Sequence, residues 1–226
     1  MIKLKKALIF LCQELENIIF PPCCLICGKI NLSFLCKECK KHIYEKAIFN
    51  IENNKNKELY FKKHIYIFKY KEKIRKLILD YKFNEKSYLY KIFSKMIIKN
   101  EKICGILKKY DIIIPVPIHK KRKKQRGYNQ SELIAKDIAN EIKSLKYQNN
   151  ILEKTKNTLP QSSLSKKQRK LNTQNVYKIT NKEKITNKRI VIFDDIYTTG
   201  STVNAVSKIL KENGAKEIII LTIAKD

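Results

Sequence analysis

Three short apolar runs stand out in the second half of the chain, at 111–117, 189–194 and 217–223, each rich in isoleucine and bounded by turn residues. Their positions do not alternate between apolar and polar, the pattern of strands buried on both faces. Between them the apolar spacing becomes helical, at 131–146 and 202–213. This alternation predicts an α/β fold, a doubly wound and mostly parallel sheet whose ligand site lies at the carboxyl ends of its strands. Upstream, 64–68 reads as a strand, Ile74 to Leu79 begins a helix leading to Lys82 and Phe83, and 88–98 is another amphipathic helix. The Asn- and Lys-rich stretch 50–58 reads as a connection between an N-terminal region, 1–58, and a main domain, 59–226. Near the start, Leu4, Leu8, Cys12, Leu15 and Ile19 recur at helical spacing. The apolar run there is broken by Gln13, Glu14 and Glu16, too soon for a secretory signal or a membrane span. A cytoplasmic protein with reduced cysteines is therefore expected.

Charge adds a constraint. The 226 residues carry 49 Lys+Arg against 21 Asp+Glu, a formal net charge of +28, while 43% hydrophobic residues suffice for a core. Such an excess points to an anionic partner: nucleic acid, phosphate esters or a lipid surface. Yet the only arginines are Arg75, Arg122, Arg126, Arg169 and Arg189, and lysine, isoleucine and asparagine are abundant throughout. Compositional drift competes with a binding face as the source of the charge.

Four of the seven cysteines form two CxxC pairs, Cys24 with Cys27 and Cys36 with Cys39. Two such pairs on neighbouring turns can set four thiolates tetrahedrally around one Zn²⁺, and a site with four protein ligands is structural because no coordination position stays open. Cys23 is an alternative to Cys24, and His42 to Cys39; an unliganded thiol cluster or a redox pair is the competing reading. Cys12 and Cys104 stand alone as expected core residues.

The most specific chemistry lies at 191–202, where an apolar strand runs into Asp194, Asp195, Thr198, Thr199, Gly200, Ser201 and Thr202 and then a helix. The hydroxyls and backbone N–H groups at that helix start can wrap a phosphate, Gly200 permits the tight turn, and the carboxylates precede it at a distance suited to ribose hydroxyls. This segment resembles the fingerprint of the type I phosphoribosyltransferases. The resemblance implies that the acidic pair holds the 2′- and 3′-hydroxyls, and the loop the 5′-phosphate, of phosphoribosyl pyrophosphate (PRPP) with Mg²⁺.

A second segment runs from Pro115, Val116 and Pro117 through His119, Lys120, Lys121, Arg122, Lys123, Lys124 and Arg126 to Gly127, Tyr128, Asn129 and Gln130. Together with the cysteine knuckle and Gln161, Leu164, Arg169 and Asn172, it is similar to the ComF competence family. Tyr128 stands where phenylalanine is common. The resemblance covers most of the chain and implies a phosphoribosyltransferase fold in a cytosolic protein of natural transformation, with incoming single-stranded DNA and other competence proteins as partners. It also makes the segment after Pro117 the pyrophosphate loop, with His119, Lys120, Lys121 and Arg126 toward PRPP. Six basic residues exceed what one pyrophosphate needs, so Lys123 and Lys124, with Tyr128 as a stacking ring, are candidates for DNA contact. A solvated lysine surface explains the same residues equally well.

The long polar stretch 158–175 has the composition of a lid, and the resemblance makes it the family's catalytic loop, bringing Arg169 to the departing pyrophosphate with Gln161 and Asn172 orienting it. Lys154 and Lys156 stand where relatives often carry an arginine before Gln161. Transfer would displace pyrophosphate from ribose C1 through an oxocarbenium-like state steadied by Asp194 or Asp195. The acceptor would sit under a hood formed from the knuckle region and the segment up to Asn100. Two classes of function follow: a phosphoribosyltransferase with an unspecified acceptor, or a module that binds DNA or protein without turnover.

Overall fold

The computed structural model of the protein describes residues 21–24, 26–33, 35–83, 86–156 and 176–226. The N-terminal amphipathic segment and the polar stretch holding Gln161, Leu164, Arg169 and Asn172 lie outside them. The chain divides into two compact units, Met1–Ala47 and Ile48–Asp226.

In the smaller unit, Cys23 and Ile30 form an antiparallel bridge around a tight turn. Helix α1, Lys37–Lys46, follows and is capped by Cys36, whose sulfur accepts from the Cys39 N–H.

The larger unit is built on a six-stranded sheet. Its strands in chain order are β1 (Asn50–Asn53), β2 (Lys63–Lys69), β3 (Ile112–Pro115), β4 (Lys146–Tyr147), β7 (Arg189–Tyr197) and β8 (Glu217–Lys225), while β5 (Leu152–Lys154) and β6 (Tyr177–Ile179) form a separate antiparallel ribbon. The order across the sheet is β1-β2-β8-β7-β3-β4, parallel except for β1. This is the mostly parallel α/β architecture that the isoleucine runs imply. Even-numbered residues of β7, Ile190 and Ile192, join Ile112, Ile114, Ile218 and Ile220 in a core beneath Val203, Val206 and Leu210 of helix α7 (Ser201–Glu212). Odd-numbered Val191 and Phe193 are buried on the opposite face, toward helix α6 (Gln130–Glu141). Continuous apolar sequence is what a strand covered on both sides requires.

Among the described residues the remaining helices are α2 (Glu72–Phe83), α3 (Tyr90–Lys99), which follows a short 3-10 turn, α4 (Glu101–Leu107) and α5 (Lys120–Arg126). Cys104 lies on α4 and is half-buried rather than in the core.

Three local expectations change. The stretch 50–58 is not a plain connection. Asn50–Asn53 pairs with β2, and its polar side chains bond there, Asn50 Nδ2 to Tyr66 Oη at 2.7 Å and Tyr66 Oη to Glu52 at 2.8 Å. Polar residues suit an edge strand, and the boundary between units falls at Ala47. The helix expected over 131–146 ends at Glu141, because the chain turns so that Lys146 and Tyr147 can pair with β3. The basic segment after His119 is a helix, not a loop: His119 Nδ1 accepts from the Lys121 N–H at its start, and Gly127, at φ 80°, ends it in the left-handed conformation.

Candidate functional site

Strand β3 leads by its crossover to β4 on one side of the sheet, and β7 leads by its crossover to β8 on the other. Their carboxyl ends therefore flank the point where the winding reverses, the place where open α/β sheets bind ligands. β7 runs farther than its apolar stretch, because Asp194, Ile196 and Tyr197 still pair with Thr222, Ala224 and Lys225 of β8. The acidic pair is thus fixed on a rigid central strand.

Immediately after it comes the turn Thr198, Thr199, Gly200, which opens α7. Thr199 Oγ1 and Ser201 Oγ share a hydrogen bond of 2.7 Å. Gly200 has φ 74°, and a Cβ there would lie 2.3 Å from the Tyr197 hydroxyl, so backbone conformation and space both demand glycine. Tyr197 is itself stacked on the buried ring of His64, 4.3 Å between centroids, and His64 Nε2 is 2.9 Å from Thr222 Oγ1. Burial, with help from Lys225, lowers the His64 pKa to about 3, so this support under the turn is neutral.

The two carboxylates have different surroundings. Asp195 pairs with Lys82 at 2.8 Å, both side chains largely shielded from solvent. Asp194 is partly buried and close to Asp195; burial first, then that neighbouring charge, raises its pKa to about 7, against the opposing pull of Lys82 and Lys154. Its Oδ1 accepts from the Asp195 N–H at 2.9 Å and lies 3.5 Å from Ser131 Oγ. On the same side, burial lowers the Lys154 pKa to about 8, reinforced by Arg122 and opposed by Asp194. Tyr177, bonded to Thr202, is pushed up by burial.

Lys82 is held by the segment after α5. Gln130 donates from Nε2 to the Lys82 carbonyl at 3.3 Å, and its own carbonyl accepts from the Tyr81 hydroxyl at 2.8 Å. Tyr128 donates to the Tyr81 carbonyl and its ring lies against Tyr81, 6.1 Å between centroids. Asn129 caps α6 and donates to Val116 O at 3.1 Å. Tyr128, Asn129 and Gln130 thereby tie the end of α2 to the end of β3.

The other basic residues disperse. Arg126 is half-buried, donates to Gln130 Oε1 at 2.6 Å and senses the Asp195 charge. Lys120 is exposed and pairs with Glu153 at 2.8 Å, and Lys123 pairs with Glu132 at 2.7 Å. Lys121 and Lys124 face solvent. The structure therefore brings Asp194, Asp195, Thr198, Thr199, Gly200, Ser201 and Thr202 together and sets Arg126 beside them, while His119 serves as a helix cap. Sequence reasoning missed Lys82 and Lys154 as partners of the acidic pair. The only local signal was a lysine at the end of an amphipathic helix, and Lys154 in a place where relatives carry arginine.

In the smaller unit, the sulfurs of Cys24, Cys27, Cys36 and Cys39 lie within 4.8 Å of one another. Burial pushes the Cys24 thiol up, but N–H groups of Cys27, Cys36 and Ile26 aimed at it prevail and lower its pKa to about 6. Cys39 is pushed up by burial and by the crowding sulfurs. Four sulfurs this close, one already inclined to thiolate, fit a tetrahedral Zn²⁺, which would relieve their mutual repulsion. Cys23 is outside the cluster and donates to Pro21 O at 3.2 Å. The Nε2 of His42 is buried with no hydrogen-bond partner among the described residues, and the four sulfurs cluster without it.

Comparison with known proteins follows the same lines. A family model described as "Phosphoribosyl transferase domain" matches residues 129–226. Competence protein F of Haemophilus influenzae is 32% identical over 162 residues, 69% of either chain. The chain belongs to the ComF competence family. Competence protein ComFC of Streptococcus pneumoniae is 29% identical over 86% of this chain and 77% of its own. The DNA utilization protein YhgH of Escherichia coli O6:H1 is 32% identical over 48% of this chain and 46% of its own. Among solved structures, the purine phosphoribosyltransferase from Pyrococcus horikoshii Ot3 superposes with a TM-score of 0.35 at 20% identity, covering 63% of this chain and 74% of that one. This ComF-family chain has, over residues 129–226, a phosphoribosyl transferase domain by its family match, and an N-terminal four-cysteine cluster able to chelate a metal. Among its described residues no helix is long and apolar enough to cross a membrane.

Proposed function

We propose that the larger unit binds PRPP with Mg²⁺ and transfers its phosphoribosyl group, and that it does so in the handling of incoming single-stranded DNA, a reading supported by relatives named as competence and DNA utilization proteins. The observation that carries this reading is the acidic pair at the end of the central strand, running directly into Thr198–Thr202 at the start of α7, at the winding reversal of the sheet. In this reading Asp194 and Asp195 accept hydrogen bonds from the ribose hydroxyls. Thr198, Thr199, Ser201 and Thr202 take the 5′-phosphate. The cations around the pair, Lys82, Lys154 and Arg126, balance the charge of the pyrophosphate end, and Arg169, which lies outside the described residues, is a further cation for it. Mg²⁺ bound with PRPP would supply further charge neutralisation. The bond from C1 to the pyrophosphate oxygen breaks, its electron pair leaving on pyrophosphate, and the acceptor's lone pair forms the new bond at C1. The chain's contribution is positioning and preorganised charge.

The test is thermal unfolding with and without ligand. A ligand bound only to the folded state raises the midpoint, so PRPP with Mg²⁺ should raise it and Asp195→Ala should remove the rise. No rise in the unmutated protein contradicts the reading. A second reading, a module that binds DNA or protein without turnover, is favoured by the Lys82–Asp195 pair, since any ribose or metal contact to Asp195 must compete with Lys82. Pyrophosphate release in single turnover separates the two.

A further inference from the structure

Phe83 is the last residue of α2 and is 64% exposed, unusual for a phenyl ring one residue from a charged site. Its predecessor, Lys82, reaches Asp195 at 2.8 Å. The guanidinium of Arg126 lies over the Phe83 ring, 4.8 Å from its centroid, and is fixed there by Gln130 Oε1. Gln130 is buried and also bonds the Lys82 carbonyl, so ring, cation and lysine are set by one residue. Exposed Tyr60 in the same unit differs: it lies near Lys208, on the outer part of α7.

A flat apolar ring, backed by a planar cation that senses the Asp195 charge and following the lysine that pairs with Asp195, is the chemistry that stacks a heteroaromatic base. We propose that Phe83, backed by Arg126, is the stacking platform for a nucleobase attached to, or about to meet, the pentose at Asp194 and Asp195. The proposal rests on the ribose reading of that pair and gives it a ligand class. The base comes either from a nucleotide-sized ligand or from a DNA strand, and the two sources share this chemistry.

The experiment compares affinities at fixed Mg²⁺ for the unmutated full chain, Phe83→Ala and Phe83→Trp. The first arm takes ribose 5-phosphate and the four common nucleoside 5′-monophosphates. The second takes a single-stranded oligothymidylate and an abasic strand of equal length. Stacking one base on an aromatic side chain is worth about tenfold in affinity. The expected result is a base-dependent gain of that size, lost in Phe83→Ala, kept in Phe83→Trp, and with ribose 5-phosphate affinity unchanged throughout. Loss confined to the first arm assigns a nucleotide-sized ligand; loss confined to the second assigns a strand. If Phe83→Ala alters the gain in neither arm, the platform is overturned. If neither PRPP nor ribose 5-phosphate binds at all, the ribose reading falls and the platform with it, whereas PRPP binding with no base dependence removes the platform alone.

Discussion

Asp194 and His64 titrate in opposite senses. The folded pKa of Asp194 is raised from 3.8 to about 7, so its contribution to stability is fully present below 3.8 and is lost as pH rises through about 7. The folded pKa of His64 is lowered from 6.5 to about 3, so its contribution is present above 6.5 and is lost as pH falls through about 3. Between about pH 4 and 6.5 the two slopes oppose each other. Asp194→Asn should therefore make stability climb more steeply with pH across that interval and exceed the unmutated protein above pH 7. Urea denaturation at a series of pH values measures it, and superimposable profiles would mean that Asp194 is not held protonated by its surroundings. The acidic pair itself was legible in the sequence, since apolar strand, carboxylates, hydroxyls and glycine are contiguous. Their opposite environments were not, because Lys82 and Lys154 reach them from α2 and β5, far away in the chain.

At the scale of elements, the buried strands were the most legible part. Runs such as 189–193 read as strands buried on both faces, and the helices between them imply parallel neighbours. What the apolar pattern did not carry were the ends: β7 continues through polar residues because β8 offers backbone partners, and β1 exists through edge pairing rather than burial. Helix α5 escaped because nothing in seven mostly basic residues signals a buried face; its caps, His119 and Gly127, define it. Tyr128 is the instructive side chain. As a residue type in a basic run it suggested base stacking, while in the fold its hydroxyl bonds Tyr81 and ties α2 to the segment after β3. The cysteine pairs were legible because ligand spacing is local. Elemental analysis of protein purified without chelator should find one zinc per chain, falling in Cys36→Ser, which removes a thiolate while its hydroxyl can still cap α1. A metal-free preparation that keeps dispersed NMR signals for residues 21–47 would contradict the metal site.

For the whole molecule, the net charge of +28 separates into parts with different work. Lys82, Lys154 and Arg126 surround the acidic pair, Lys120 and Lys123 are paired with Glu153 and Glu132, and Lys121 and Lys124 remain exposed on α5. If α5 contacts a DNA strand, Lys121→Glu with Lys124→Glu should lower the salt dependence of single-strand binding by about 0.7 in log–log slope for each phosphate that the helix no longer neutralises. An unchanged slope would place the DNA elsewhere on the surface. Phosphate handling at the reversal point of the sheet remains the central claim. Titration calorimetry of the full chain with PRPP in the presence of Mg²⁺ tests it most directly. The expected result is saturable binding at one site per chain that requires Mg²⁺ and disappears in Asp195→Ala; absence of binding to the unmutated protein, or binding untouched by Asp195→Ala, would contradict it.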